Sequence, residues 1–292
     1  MPSTRDIRRR IKSVKNTAQI TKAMQMVAAS KMRKAQQSAL AGRPYAELMN
    51  RVMAEVNHHC SDFQHPLMEE RPVHKTAVIV VTSDRGLCGA LNGNLLRELA
   101  KYDQSKTVFI AAGRKGAQFI GRTRRNLVGE FTYKDTPLFG EARAIAKFAT
   151  ELFLKREVDR VEVLFTNYIS TLNQRPEAHT LLPAGAVTVV SSDFHGEIAK
   201  VQPAKSDLEF MFEPSAEKVF ESILPHYLNY QIYQYLLEAK ASEHSARMVA
   251  MKNATDNAKQ LIKALTLQYN KLRQSNITRE LLEISSAAMS LG

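Results

Sequence analysis

A long stretch without glycine or proline at the start of the chain most constrains its fold. Neither residue occurs between Arg5 and Ala41, and small or apolar side chains recur there in alternating steps of four and three. This is the heptad spacing of an α-helix that packs against a partner helix. The stripe consists of Ile7, Ile11, Val14, Ala18, Thr21, Gln25, Ala28, Met32, Ala35 and Ala39. Because it is narrow and mostly small, the partner must come close, and the helix cannot be surrounded by core.

The charge of this first helix is as uneven as its hydrophobicity. Residues 1–43 contain eleven Lys or Arg against one acid, Asp6, while the whole chain of 292 residues has a net charge of +12. Such an excess predicts an anionic partner, which could be nucleic acid, an anionic membrane or an acidic protein surface. Composition does not choose among them.

A second long helix is predicted at the other end of the chain. After Pro225 there is neither proline nor glycine until Gly292, and one helix of roughly 100 Å is the natural interpretation. The two terminal helices are expected to form an antiparallel coiled coil in which the C-terminal helix overhangs its shorter partner. The C-terminal stripe consists of Leu237, Ala241, His244, Met248, Met251, Thr255, Ala258, Ile262, Leu265, Tyr269 and Leu272, and it resumes at Ile277, Leu281, Ile284 and Ala288.

Between the terminal helices the pattern changes to alternating strands and helices. This alternation predicts an α/β sandwich with a mainly parallel, Rossmann-like sheet. We expect a kink at Gly42–Pro44, since proline removes a backbone donor. The division is an N-terminal shaft helix (1–57), a linker (58–73), an α/β domain (74–208) and a C-terminal shaft helix (209–292). The predicted strands are 76–82, 107–112 and 160–168, with weaker candidates at 178–182 and 187–190, and the predicted helices are 90–100, a short one ending near 121, and 141–156.

Other features of the sequence indicate where in the cell the protein is found. The longest strongly apolar run, Ala77 to Val81, is far shorter than the roughly 20 residues of a membrane helix. The first residues lack the apolar segment of a signal peptide, so export is not expected. Two cysteines, Cys60 and Cys88, give no disulfide framework and favour a reducing compartment.

Two local motifs suggest a ligand, but each also has a structural explanation. Gly86 and Gly89 follow a predicted strand, as in nucleotide-binding turns, yet there is no GxGxxG and no GKS or GKT. Glycines needed for a tight strand-to-helix turn explain them more simply. The linker histidines at 58, 59 and 65, with Cys60, match no zinc spacing. We therefore predict no cofactor and no metal.

Four segments distributed over the whole chain are distinctive: ITKAMQMVAASKMRKAQ (Ile20 to Gln36), SDRGLCGALN (Ser83 to Asn92), SEHSARMVAMKNATDNA (Ser242 to Ala258) and NITRELLEI (Asn276 to Ile284). Together they resemble signature segments of the gamma subunit of bacterial F-type ATP synthase. The resemblance implies that the terminal helices form a rotating shaft inside a ring of three alpha and three beta subunits. It also implies that the α/β domain lies beside epsilon and the c-ring, at the cytoplasmic face of the bacterial inner membrane.

The resemblance further implies a non-catalytic subunit without direct membrane insertion, whose rotation couples the c-ring to the alpha/beta catalytic sites. The positions similar to the family's beta contacts are Lys22, Met24, Arg247, Gln268 and Arg279. The region similar to the foot, which faces the c-ring and epsilon, includes Glu209 and Phe210.

Two alternatives stay open from the residues alone. A basic coiled-coil protein could bind nucleic acid through the positive charges from Arg5 to Lys34, with an affinity that falls steeply as salt rises. It has no recognised DNA- or RNA-binding fold, and few aromatic residues lie near the charges. An enzyme could instead bind ATP or NAD at the Gly86 turn.

Overall fold

The computed structural model describes residues 3–59, 65–184, 213 and 215–290. The chain divides into two compact units, which we call the helical unit (Met1–Val27 with Met248–Gly292) and the sheet unit (Ala28–Arg247). Both terminal helices contribute residues to each unit. The helices are α1 (Thr4–His59), α2 (Leu91–Ala100), α3 (Arg114–Arg122), α4 (Phe139–Leu154) and α5 (Ala216–Ser290), with a short 3-10 helix at Pro66–Met68.

The sheet unit is built around a five-stranded sheet with the order β3-β2-β1-β4-β5. The first four strands in that order are parallel, and β5 pairs antiparallel with β4 at the edge. The strands are β1 (Thr76–Val81), β2 (Thr107–Ala112), β3 (Leu127–Phe131), β4 (Arg160–Tyr168) and β5 (Gln174–Leu182). The predicted α/β fold with a mainly parallel sheet is confirmed.

Helices cover both faces of this sheet. Alternate side chains of β1 point in opposite directions, so Ile79 joins a core with α4 and α5, while Val78 joins a second core with α2 and α3. Burial of β1 on both faces explains why its sequence is apolar without alternation. The central strand is therefore fixed between two hydrophobic layers.

The sequence analysis missed strand β3. It is a short edge strand whose residues are all partly or fully exposed, so it lacks the apolar run that marked β1 and β2. Its central Gly129 also reads as a strand breaker. The glycine is needed because a Cβ there would lie 2.8 Å from the ring of Phe148 on α4. The predicted strand at 187–190 lies outside the described residues.

The two terminal helices are longer than most in globular proteins, as predicted. Helix α1 continues through Gly42 and Pro44, where a kink was expected, to His59. In the sheet unit Ala35 is buried with Ala241, and the Tyr230 hydroxyl donates to the Gly42 carbonyl at 2.7 Å. As residue numbers rise along α1 they fall along α5, so the helices are antiparallel there.

The helical unit contains the other ends of α1 and α5. The hydroxyls of Thr21 and Thr255 are hydrogen-bonded at 2.7 Å, and antiparallel pairing from this point places Ile7 opposite Tyr269. Ile7 is 1% exposed, and the predicted stripe is partly or fully buried at every position along α1. On α5 the stripe residues are partly or fully buried as far as Leu272. Every residue from Arg273 to Ser286 is exposed, so the predicted overhang is present.

Candidate functional site

The C-terminal ends of β1 and β4 lie at the point where the strand order reverses. In open α/β sheets this is the usual position of a ligand crevice. Here α5 lies against it, because the Ser242 hydroxyl donates to the Thr166 carbonyl and the Ser245 hydroxyl to the Thr171 carbonyl, each at 2.9 Å. Both serines are fully buried. The chain's own helix thus contacts this end of the sheet.

The strand-to-helix turn after β1 is held by its own side chains and by α5. The Ser83 hydroxyl donates to the Arg85 carbonyl at 2.8 Å, and the Asn92 amide donates to the Ser83 hydroxyl at 2.7 Å. The carbonyls of Arg85 and Gly86 accept from the Arg247 guanidinium at 3.4 and 3.3 Å. A Cβ on Gly86 would meet no atom within 4 Å. These contacts favour the structural explanation of the turn over nucleotide binding.

Five charged side chains of alternating sign form a row across the sheet unit, which we call the charge row. Its members are Lys31 on α1, Asp135 in the loop after β3, and Lys240, Glu243 and Arg247 on α5. Lys31 bonds Asp135, whose other oxygen lies 3.8 Å from the Lys240 ammonium. Glu243 binds Lys240 at 2.9 Å and Arg247 at 2.8 Å. The row therefore links both terminal helices to the loops of the sheet.

The inner part of the charge row is buried. The side chains of Lys240 and Glu243 are 2% and 5% exposed, and the Lys240 ammonium lies 4.6 Å from the centre of the Tyr133 ring. Burial opposes the charged form of Glu243, but Lys240 and Arg247 outweigh it and hold its pKa below the ordinary value. The hydrogen bond from Lys31 likewise lowers the pKa of Asp135. Both carboxylates of the row are therefore ionised near neutral pH.

His244 lies next to the charge row and is 2% exposed. Burial lowers its pKa to about 4, so the imidazole is neutral near pH 7. Its Nδ1 lies 3.4 Å from the Arg247 guanidinium, which makes Nδ1 the acceptor and leaves the hydrogen on Nε2. Nε2 has no hydrogen-bond partner among the described residues. In the sequence, His244 was recognised only as a member of the C-terminal apolar stripe.

The residues predicted to contact partners do not form one site. Lys22, Gln268 and Arg279 are exposed and Met24 is partly buried, all in the helical unit. About 20 Å of helix separates Thr255, the neighbour of Thr21, from Gln268, and Arg279 is further along. Arg247 belongs to the sheet unit, where it contacts Glu243, His244 and the turn after β1. Glu209 and Phe210 lie outside the described residues.

The overhang of α5, residues 273–286, combines exposed apolar side chains with a basic environment. The exposed fractions are 49% for Ile277, 61% for Leu281, 65% for Leu282 and 67% for Ile284. The helical unit contains thirteen Lys or Arg against four Asp or Glu, so it carries +9 of the chain's +12. Large apolar side chains exposed together on one helix end are typical of protein-interaction surfaces.

A cavity of about 360 Å³ in the sheet unit was not anticipated from the sequence. Arg71, Arg160 and Tyr227 line it together with Glu70 and Asp159. The buried Nε atoms of both arginines lack a partner in the described part of the chain. Because two carboxylates balance the two guanidinium groups, the cavity has no excess charge that would select an ion.

Neither a membrane span nor a metal site is found among the described residues. No helix there combines the length and apolar character needed to cross a bilayer. No three His, Cys, Asp or Glu residues of that part cluster as metal ligands. Of the linker candidates, Cys60 and the side chains at 58 and 59 lie outside it.

The fold and these surfaces define an α/β protein with paired terminal helices and an exposed apolar and basic surface suited to protein partners. The ATP synthase family model matches residues 3–291. The ATP synthase gamma chain of Opitutus terrae is 49% identical over 289 residues, which are 98% of each chain. The chain belongs to the ATP synthase gamma-chain family.

Solved structures agree with this assignment. A chain of the central stalk and c-ring structure of Tetrahymena thermophila mitochondrial ATP synthase is 25% identical, with a TM-score of 0.61, over 80% of this chain and 99% of that one. A chain of the Euglena gracilis mitochondrial ATP synthase rotor is 20% identical, with a TM-score of 0.67, over 94% of this chain and 98% of that one. The second similarity concerns the fold alone.

Proposed function

We propose that this chain is the central rotor shaft of an F-type ATP synthase and has no active site of its own. The observation that carries the proposal, beside family membership, is the overhang of α5, whose two leucines and two isoleucines are all exposed. Exposed apolar side chains of this size are typical of surfaces that a protein partner covers. A ring of alpha and beta subunits would be such a partner. Family membership also favours this function over nucleic-acid binding.

The proposed mechanism is coupling by rotation. The helical unit has a strongly basic α1 and a more mixed α5, so its surface differs from side to side. As it turns inside a ring of three beta subunits, each beta subunit meets a different side in sequence. Differential contacts change the relative stability of beta conformations, and with it their affinity for ADP, phosphate and ATP. Helix α5 has no glycine, and α1 has none before Gly42, which suits the transmission of torque.

The proposed contacts follow from exposure and charge. Lys22, Gln268 and Arg279 are exposed polar or cationic groups able to meet acidic beta loops, and Met24 adds an adaptable apolar surface. Arg247 stays a proposed contact, although it binds Glu243 and the turn after β1. The sheet unit, with Glu209 and Phe210, is proposed to face epsilon and the c-ring. This puts the chain at the cytoplasmic face of a bacterial inner membrane, peripherally bound.

The test is reconstitution with alpha and beta subunits, using the double variant Leu281→Ser and Leu282→Ser. Burial of each leucine by a partner contributes about 1 to 2 kcal/mol, so the complex should bind the variant at least about tenfold more weakly. The isolated variant should unfold as the wild type does, because both side chains are already exposed. Leu172→Ser, which alters an exposed turn of the sheet unit at 82% exposure, is the matched control.

Two results would count against the rotor function. The first is failure of the wild-type chain to form a complex with alpha and beta subunits that hydrolyses ATP. The second is equal binding of the double variant and the Leu172 control.

A further inference from the structure

The loop between β3 and α4, residues 132–138, joins the two terminal helices to the sheet. Its Asp135 accepts from Lys31 on α1 with one carboxylate oxygen, and the other oxygen lies 3.8 Å from the ammonium of Lys240 on α5. One side chain of the sheet unit therefore bridges a cation from each helix. All three residues belong to the sheet unit.

The loop is rigidly attached on both sides of Asp135. Before it, the hydroxyl of Tyr133, which is 5% exposed, donates to the Thr82 carbonyl at the end of β1, at 3.1 Å. After it, the Glu141 carboxylate accepts from the backbone N–H of Leu138 at 2.8 Å and from that of Lys134 at 3.3 Å. The carboxylate of Asp135 is thereby held relative to the sheet.

Few side chains near Asp135 fix the rotation of α1 on the sheet unit. Gln36 donates to the Tyr168 hydroxyl at 3.0 Å, and the Tyr230–Gly42 hydrogen bond lies about three turns from Lys31. Ala35 and Ala241 meet through small side chains, which interlock little. The Lys31–Asp135 contact is a charge-assisted hydrogen bond, whose strength depends on direction and distance, so turning α1 about its axis would break it.

We propose that Asp135 is a positioning residue, which fixes the rotation of α1 relative to α5 and the sheet so that α1 turns with the sheet unit under load. The proposal rests on the rotor function proposed above and adds to the hydrogen bonds of Ser242 and Ser245, which already attach α5 to the sheet. Loss of the Asp135 contact would let α1 turn against the sheet. ATP hydrolysis would continue, but fewer ions would be transported for each ATP that is hydrolysed.

The experiment uses the complete synthase reconstituted in lipid vesicles, where ion pumping and ATP hydrolysis are measured together. Asp135→Asn keeps the shape of the side chain and removes its charge. We expect the ratio of ions pumped to ATP hydrolysed to fall at least about twofold, with hydrolysis itself undiminished. Asp135→Glu should restore most of the ratio, because the charge returns. Asp103→Asn is the matched control, since that carboxylate accepts hydrogen bonds from Ser105 in an exposed turn.

A second variant keeps the test decisive if Asp135→Asn fails to fold. Lys31→Gln removes the partner on α1, whose side chain is 44% exposed, and should lower the ratio in the same direction. Equal ratios for Asp135→Asn, Lys31→Gln and Asp103→Asn would overturn the positioning role. If Asp135→Glu does not restore the ratio of ions pumped to ATP hydrolysed, the role of Asp135 does not depend on its charge. Failure of the wild-type chain to assemble would instead refute the rotor function.

Discussion

Replacement of His244 by asparagine should make the stability of the sheet unit less sensitive to acid. The imidazole is 2% exposed, and burial lowers its pKa to about 4 from an ordinary 6.5. The charges of Glu243 and Asp135 favour its protonated form, while those of Arg247 and Lys240 oppose it. Asparagine can place its amide oxygen where Nδ1 accepts from Arg247, so the neutral contact is kept.

Proton linkage gives the direction and the size of the effect of His244 on the free energy of unfolding. The unfolded chain takes up a proton at His244 as the pH falls through 6.5, whereas the folded chain resists until about 4. The free energy of unfolding is therefore highest above this range and falls with the pH within it. Between pH 7 and pH 5 the loss from this residue is about 2 kcal/mol. Asp135 and Glu243, whose pKa values are lowered, contribute losses in more acidic solution.

The assay is urea unfolding at a series of pH values between 7 and 5. Near-UV circular dichroism suits the protein, because it has no tryptophan and eight of its nine tyrosines lie in the sheet unit. Wild type should lose about 2 kcal/mol more than His244→Asn on acidification. His226→Asn, an exposed replacement on α5, controls for the loss of an imidazole as such. Parallel curves of stability against pH for wild type and His244→Asn would refute the reasoning.

Two further predictions concern the turns and the charge row. Gly113→Ala should lower the stability by about 3 kcal/mol or more, because φ is +112° and a Cβ would lie 2.2 Å from the Thr82 carbonyl. Gly86→Ala, with no atom within 4 Å, should change it by less than about 1 kcal/mol. Thermal unfolding compares the two. Glu243→Gln should cost about 3 to 5 kcal/mol because it removes the nearer of the two carboxylates beside the buried Lys240 ammonium. Glu98→Gln on α2, whose side chain is 41% exposed, should cost under about 1 kcal/mol; similar urea midpoints for the two would contradict this.

The sequence predicted the regular parts of the fold well because they depend on periodic burial. The stripe from Ile7 to Ala39 is covered wherever it was expected to be, and the strands at 107–112 and 160–168 have the predicted bounds. Strand β3 was missed because an edge strand need not be apolar. Strand β5 is longer than predicted, since Pro176 needs no donor on an edge strand.

The contacts of the charge row could not be predicted from the sequence. Lys31, Asp135 and Lys240 are far apart in the chain, and each alone is typical of a solvated surface. Only the antiparallel pairing of α1 and α5, together with the loop after β3, brings them close enough to interact. Lys240 shows the difficulty most clearly, since a lysine at 2% exposure is expected only where partners compensate it.

The uncovered end of α5 has a consequence for how a cell must supply this protein. Copies synthesised in excess of the ring subunits would display Leu281, Leu282 and Ile284 to water. Such surfaces promote aggregation and attract proteases and chaperones. Balanced production of the subunits, or prompt degradation of the surplus, is then a requirement imposed by the last turns of a single helix.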